Sequence, residues 1–544
     1  MTDTLKIKAE TFNKRRVDTI KGMNLTDDNS SRKGSRSDYY RETYRPQFHY
    51  SPEKNWMNDP NGMVYYEGEY HLFYQHTPHD TRPDFGRMHW GHAVSKDLVH
   101  WDELPPAIPP GEDGAIFSGS AVVDKNNTSG FFNEEGSGLV AIYTNEGNKA
   151  QPGKSQVQSI AYSKDQGRTW TKYEGNPVLF PTDTLDFRDP KVFWHDESSM
   201  WIMVLAVRDR VEFYSSPNLK EWTFASEFGA DIPGIHRGVF ECPDVFRIPV
   251  DEDPNTMKWI LMLSVGDRNG VNPNDPEPPA GGSGMMYFIG NFDGKAFTLD
   301  ETLESFDSIK WVDYGSDFYA AVTWNGIPNE NGRKIWVGWM NNWRYATTLP
   351  SEEWRGKTSI PRELQLRTYP EGLRLIQAPI SELSQLRKPI LSLQDLTIKP
   401  GMNVLSDISA AKAEIIAEFE IGTAVEFGFK VRKSSDQETI IGYNISNGEL
   451  FVDRTKASTI DFHTDFTAKH KAPMKPEHER IQLSIYVDWS SVEVFGNHGK
   501  TIISDMIFPE LESMGLELYA VGGELKVVSL QINDLVSIWG NETV

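Results

Sequence analysis

At 544 residues the chain is too long for one ordinary domain and fits two to four. Apolar residues at 38%, aromatics at 12% and charged residues at 24% exclude a disordered or fibrous chain. The 55 Lys and Arg against 78 Asp and Glu give a formal net charge of −23, which argues against nucleic acid or anionic membrane as partners. A single Cys rules out an internal disulfide framework and a multi-Cys metal centre.

Residues 1–39 are polar, with Lys14, Arg15 and Arg16 before an Asn/Asp/Ser/Gly-rich stretch, and read as a flexible tail. No apolar segment follows the basic residues. The expected location is the cytoplasm if the chain is native from Met1, and outside the cell if a leader was removed. From 40 to 374 short aromatic and β-branched runs are broken by Gly, Pro, Asn and Asp, the pattern of many short strands. Three strings repeat: Ser95-Lys96-Asp97-Leu98 leads to Trp101, Ser163-Lys164-Asp165 to Trp170, and the run from Ser215 to Leu219 leads to Trp222. Their spacing is about that of one four-stranded blade, which predicts a five-bladed β-propeller. Residues 375–392 read as a linker with a short helix ending near Leu386. From 393 to 544 alternating strands with frequent turn signals predict a β-sandwich. The predicted fold class is all-β, a five-bladed propeller followed by a C-terminal sandwich.

Three carboxylates lie in unusual company. Asp59 sits in Trp56-Met57-Asn58-Asp59-Pro60-Asn61-Gly62, Asp189 in Phe187-Arg188-Asp189-Pro190, and Glu241 in Phe240-Glu241-Cys242-Pro243-Asp244. Each acid has a Pro one or two positions on, which restrains the backbone at a strand end. Arg188 is expected to keep Asp189 ionised, while Cys242, Phe240 and Pro243 would tune Glu241 and hold its proton. Singly, each string reads equally as a turn. Together they allow a glycoside-cleaving site built on paired carboxylates.

The blocks around these acids, with Phe117-Ser118-Gly119-Ser120, Trp90-Gly91-His92-Ala93-Val94-Ser95, Phe318-Tyr319-Ala320-Ala321 and Pro361-Arg362-Glu363-Leu364, resemble those of glycoside hydrolase family 32. That family contains invertases, exo-inulinases and levanases. The run from Asp488 through Val492, Glu493 and Phe495 is similar to its C-terminal motif, and the likeness extends over 48–536. The resemblance implies Asp59 as nucleophile, Glu241 as general acid/base and Asp189 as transition-state stabiliser. It implies Asn58, Gln75, Phe85, Phe117, Ser118, Arg188, Tyr319 and Trp339 as substrate contacts. At Phe85 many relatives carry Trp, so the wall is kept and an indole donor lost. The expected substrates are fructan, fructo-oligosaccharide or sucrose, released as fructose from the chain end, with no cofactor and no metal. Gly338-Trp339-Met340-Asn341-Asn342-Trp343 resembles the polymer-cleaving members, in which a rim of Trp and Asn receives the second fructose; an invertase is the alternative. The resemblance leaves the oligomeric state open.

Other readings weigh less. His76, His79, His89 and His92 lack the carboxylate or thiolate pattern of a metal site. Gly281-Gly282-Ser283-Gly284 lacks the Lys of a phosphate loop and reads as a long loop at the pocket rim. Ser163-Lys164-Asp165-Gln166-Gly167-Arg168-Thr169-Trp170 fits a box found in propeller sialidases, but that box is a turn device, and the strings around Asp59 and Glu241 do not fit a sialidase. A sugar-binding protein without catalysis would not need all three acids.

Overall fold

The three Ser-led strings close hairpins, and each closes the same one. In the computed structural model, which describes residues 39–540 apart from 134–135, 148–155, 182–183, 185, 231, 233–237, 267–276, 302–308 and 329–332, they join the third and fourth strands of successive sheets. The strand pairs are His89–Ser95 with Trp101–Ile108, Gln156–Ser163 with Thr171–Lys172, and Arg210–Ser216 with Thr223–Phe228. In each turn a short polar side chain takes up backbone N–H groups: Asp97 from Val99 and His100, Asp165 from Thr169, and Asn218 from Lys220 and Glu221. The next residue then sits at positive φ, 63° at Leu98, 56° at Gln166 and 64° at Leu219. In the third turn the serine that bonds the loop is Ser216, not Ser215. The sialidase-like box is therefore a hairpin turn. The expected tail, 1–39, lies outside the described residues except for Tyr39.

The first twelve strands form three sheets of four in chain order, the first extended by Trp354–Arg355. The next sheet has nine strands, and a single parallel pair, Val250 with Leu366, joins its two halves. Without that pair the strands fall into five antiparallel groups, a β-propeller. The strand Gly372–Pro379 completes the last group against Arg362–Tyr369. A 3₁₀ turn over Ser381–Leu386 buries Leu383 and Leu386, and Arg387–Ile398 then enters the first sandwich sheet beside Leu525–Leu535. The passage is thus shorter than the expected 375–392, because Leu375 and Ile376 still pack in the propeller while Arg387 already pairs in the sandwich. Two sheets, of six and five strands, enclose the sandwich core.

Buried charge joins the two parts. His49 bridges Asp488 at 2.7 Å and Glu493 at 2.8 Å, Glu493 also takes Arg362 at 2.5 Å, and Arg362 lies 3.2 Å from Asp313. These groups are nearly all inaccessible, so their mutual hydrogen bonds offset the cost of burying them. Asp488 and Glu493 of the C-terminal motif therefore act as anchors for the propeller.

Candidate active site

Five strands carry the chemistry, each the first of its group: Asn55–Tyr66, Ala115–Asp124, Arg188–His195, Val239–Val250 and Tyr319–Thr323. Every one breaks register with its neighbour where a site residue stands. The breaks fall between Asn58 and Pro60, Ile116 and Gly119, Glu241 and Asp244, and Tyr319 and Val322, and between Arg188 and Lys191 opposite Ala206 and Val204. Such bulges turn a side chain out of its alternating direction. They also explain the prolines, since Pro60, Pro190 and Pro243 occupy bulges where a missing N–H costs no ladder bond. Asp59, Asp189, Cys242 and Ala320 have φ of 26°, 62°, 45° and 53°, conformations that L-residues rarely adopt. At the second bulge a Cβ on Gly119 would lie 2.0 Å from the Ile142 carbonyl oxygen, so only Gly fits there.

The three acids meet at one mouth of the propeller. Glu241 accepts from Arg188 Nη2 at 3.0 Å and from the Tyr319 hydroxyl at 2.5 Å. Gly266 leaves room for this pair, because a Cβ there would stand 3.0 Å from Glu241 and 3.2 Å from Tyr319. Arg188 also holds Asp186 at 3.0 Å, while its Nε is 3.8 Å from Asp189. Asp189 instead receives the Cys242 backbone N–H at 3.0 Å and has the Cys242 thiol at 3.7 Å, and its own N–H goes to Thr144 Oγ1. Arg188 pairs most closely with Glu241 while its charge also favours ionised Asp189, and Cys242, expected to tune Glu241, attends Asp189. The reason is the bulge at Cys242, which sends that residue's groups toward the neighbouring strand. Phe240 does not hem Glu241 either, since its ring is buried in the core on the other side of the strand.

Burial and like charge act on Asp59 and Asp189. Burial, then the charges of Glu241 and Asp189, push Asp59 well above the usual carboxylate range, and its Oδ1 is buried without a hydrogen-bond partner. Burial brings Asp189 up to about 6 against the pull of Arg188.

The remaining predicted residues are brought together around this centre. Asn58 accepts from Trp56 Nε1 at 2.6 Å and supports Asp59, and it stands in register with Gln75, whose Nε2 is buried and unpartnered. Trp339 is fully buried with Nε1 also unpartnered, edge-on to Trp56 and 4.7 Å from Trp343. Ser118 lines a gap beside Asn61, Asp189 and Cys242. Phe117 is fixed by its carbonyl, which accepts from Trp90 Nε1 at 2.9 Å. Phe85 is half exposed and stands 6.2 Å from Phe117 and 6.1 Å from Trp343, forming an aromatic rim. Above lies an open cavity of about 680 Å³ bordered by Phe85, Phe117, Arg188 and Glu241. Tyr319 and Arg188, expected to touch substrate, spend hydrogen bonds on Glu241. The Asn pair is not part of the rim: Asn341 and Asn342 are fully buried, and Asn342 ties Ser316 to the Gly281 loop. Sequence reasoning missed Thr144, Asp186 and Gly266, ordinary residues whose role comes only from their place beside the acids. The histidines go elsewhere, His76 to the Trp56 carbonyl and His92 to His71.

Family models for the glycosyl hydrolases family 32 N-terminal domain and C-terminal part match residues 49–379 and 382–534. The chain belongs to glycosyl hydrolases family 32. It is 54% identical over 508 residues to a levanase of Bacillus subtilis (strain 168), covering 93% of this chain and 72% of that protein. It is 38% identical over 529 residues to an extracellular exo-inulinase of Aspergillus niger, covering 92% and 96%. The crystal structure of exo-inulinase from Aspergillus awamori superposes with a TM-score of 0.84 at 36% identity, covering 92% of this chain and all of that one.

Proposed function

We propose that the protein is a retaining exo-β-fructosidase that removes terminal fructosyl units from fructans and fructo-oligosaccharides and also cleaves sucrose. The observation that carries the reading is the convergence of Asp59, Asp189 and Glu241 at one mouth, beside buried polar atoms that lack partners. The levanase and exo-inulinase relatives support fructans as the substrate class.

Asp59 attacks the anomeric carbon as the bond to the departing oxygen breaks, and Glu241 gives that oxygen its proton. Water then attacks the same carbon, Glu241 takes the water's proton, and Asp59 is released with fructose in its original configuration. Retention calls for carboxyls about 5–5.5 Å apart. Asp189 faces the charge that develops on the sugar and holds its hydroxyls. Attack needs Asp59 ionised, although burial and like charge favour its protonated form. Sugar hydroxyls donating to the unpartnered Oδ1 of Asp59 stabilise its anion. Gln75 Nε2 and Trp339 Nε1 are free to meet other sugar oxygens.

An exo mode fits a pocket with a closed floor. Beneath the acids Lys191 Nζ lies 3.2 Å from Asp244 and 2.7 Å from the Thr323 carbonyl, and Thr323 donates twice to Asp244, which fills the propeller axis. The test is the product pattern from levan, inulin and kestose: free fructose from the first minutes supports the reading, and a ladder of intermediate oligosaccharides refutes it. A kcat/KM on all three far below that on sucrose makes the enzyme an invertase.

A further inference from the structure

Four of the five strands that build the site at one mouth of the propeller line a second cavity at their other ends. Beyond Ser118 the second strand reaches Val122 and Asp124, beyond Asp189 the third reaches Phe193, Trp194 and His195, and beyond Glu241 the fourth reaches Arg247. Four to six residues at about 3.3 Å each put the two sites roughly 13–20 Å apart. The Lys191–Asp244–Thr323 plug separates them. The cavity holds about 510 Å³, the size of a small-ligand site, and no step of the reaction uses it.

Its walls suit a neutral, polyhydroxylated ligand. Trp194 and Trp259 are half-buried on its lining and pack against other rings, Trp194 against Trp201 at 5.1 Å and Trp259 against Phe292 at 5.4 Å. Fixed rings of this kind offer flat apolar faces to sugar rings at little entropic cost. The charges nearby are largely matched. Glu197 holds Arg247 at 2.7 Å, Arg333 holds Glu363 and Glu382, and Asp124 takes four hydrogen bonds from Thr128 and Ser129. No concentrated field of one sign remains to select an anion or a cation. The lining also continues past Trp259, shared with a shallower depression of about 260 Å³ bordered by Asn291 and Asp293. The two adjoin at His195, Glu197, Arg247 and Trp259 and are taken together as one trough.

We infer that this trough, at the mouth opposite the acids, is a second carbohydrate site that holds a fructan chain by stacking on Trp194 and Trp259. The choice of fructan rests on the proposed function. Anchoring one stretch of a polymer raises the local concentration of its ends without touching the chemistry.

The test uses the full chain, with nystose as the small probe and inulin as the polymer. Calorimetry on the Asp59→Asn enzyme is expected to find two nystose sites per chain, and one after Trp194→Ala with Trp259→Ala. Because those rings pack against neighbours, Asn126→Arg provides a second variant: it sends a long side chain over the cavity from an exposed position and removes no core group. In otherwise unmutated enzyme either change is expected to leave kcat/KM on sucrose within about twofold and to raise KM on inulin about fivefold or more. A single nystose site in the Asp59→Asn enzyme, or a second site that survives both variants, overturns the proposal. Equal binding of maltotetraose overturns its assignment to fructans. Fructose release from sucrose by the unmutated enzyme is scored separately, so its failure strikes the proposed function and not the trough.

Discussion

Arg188 donates to Glu241 at 3.0 Å across two strands, closer than its 3.8 Å approach to Asp189, its neighbour in the chain. A planar fork that holds Asp186 and Glu241 at once cannot be copied by an ammonium. Arg188→Lys is therefore expected to lower kcat/KM on sucrose about 10²-fold while the fold persists. Steady-state kinetics with a thermal melt checks it, and unchanged kinetics would remove Arg188 from the machinery.

The Cys242 thiol faces Asp189, which titrates near 6. Asp189 must be ionised to hold the transition state, so activity is expected to fall as pH drops through about 6. Cys242→Ser supplies a better donor to the anion and should move this acidic limb to lower pH. The pH profile of kcat/KM reads it; a limb that moves to higher pH, or a shift confined to the basic side, would contradict the placement.

Lys191, Asp244 and Thr323 tie together the strands that carry Asp189, Glu241 and Tyr319. Lys191→Met leaves a buried carboxylate without its cation and is expected to cost about 3–5 kcal/mol of stability. Adding Asp244→Asn should recover part of the melting temperature. Where the double variant folds, kcat should fall more than KM rises, because the acids lose their alignment rather than the sugar its walls.

Glu493 anchors the sandwich to the propeller. Arg362 and His49 outweigh its burial and bring its carboxyl down to about 2 from an ordinary 4.5. Its folded value is the lower one, so its contribution is complete above about 4.5 and is lost as pH falls toward 2. Glu493→Gln should lower the melting temperature at neutral pH, by on the order of 3 kcal/mol of stability, and flatten the acid-side loss. Melting curves from pH 7 to pH 3 test it; parallel curves for the two proteins would refute it.

At the rim, Phe85 and Trp343 are 6.1 Å apart above the open cavity. Phe85→Ala is expected to reduce kcat/KM on kestose and inulin more than on sucrose, if this rim receives the second fructose. Equal losses on all substrates would make Phe85 a wall of the first sugar's pocket.

Much of this is legible in the sequence alone. The turn strings gave the hairpins because a Ser, an Asp or Asn and a positive-φ residue make one local structure whatever surrounds them. The prolines after Asp59, Asp189 and Glu241 marked special backbone. What they could not give was direction. A bulge redirects each acid and its neighbours, so Arg188 and Cys242 exchanged the partners that adjacency suggested. Asn341 and Asn342 looked like rim donors and proved to be buried supports, since polarity alone does not separate a ligand contact from a satisfied core amide. Thr144 and Gly266 carried no signal, because their roles depend on contacts across strands far apart in the chain.

The account turns on Asp59 as the atom that bonds the sugar. The most direct measurement is peptide mass spectrometry on the Glu241→Gln enzyme after reaction with a β-fructosyl fluoride, whose leaving group needs no acid and whose intermediate then lacks its base. One fructosyl unit on the peptide that contains Asp59, absent from Asp59→Asn with Glu241→Gln, is the predicted result. An adduct on the Asp189 peptide, or turnover of the fluoride with no adduct at any time, would contradict it.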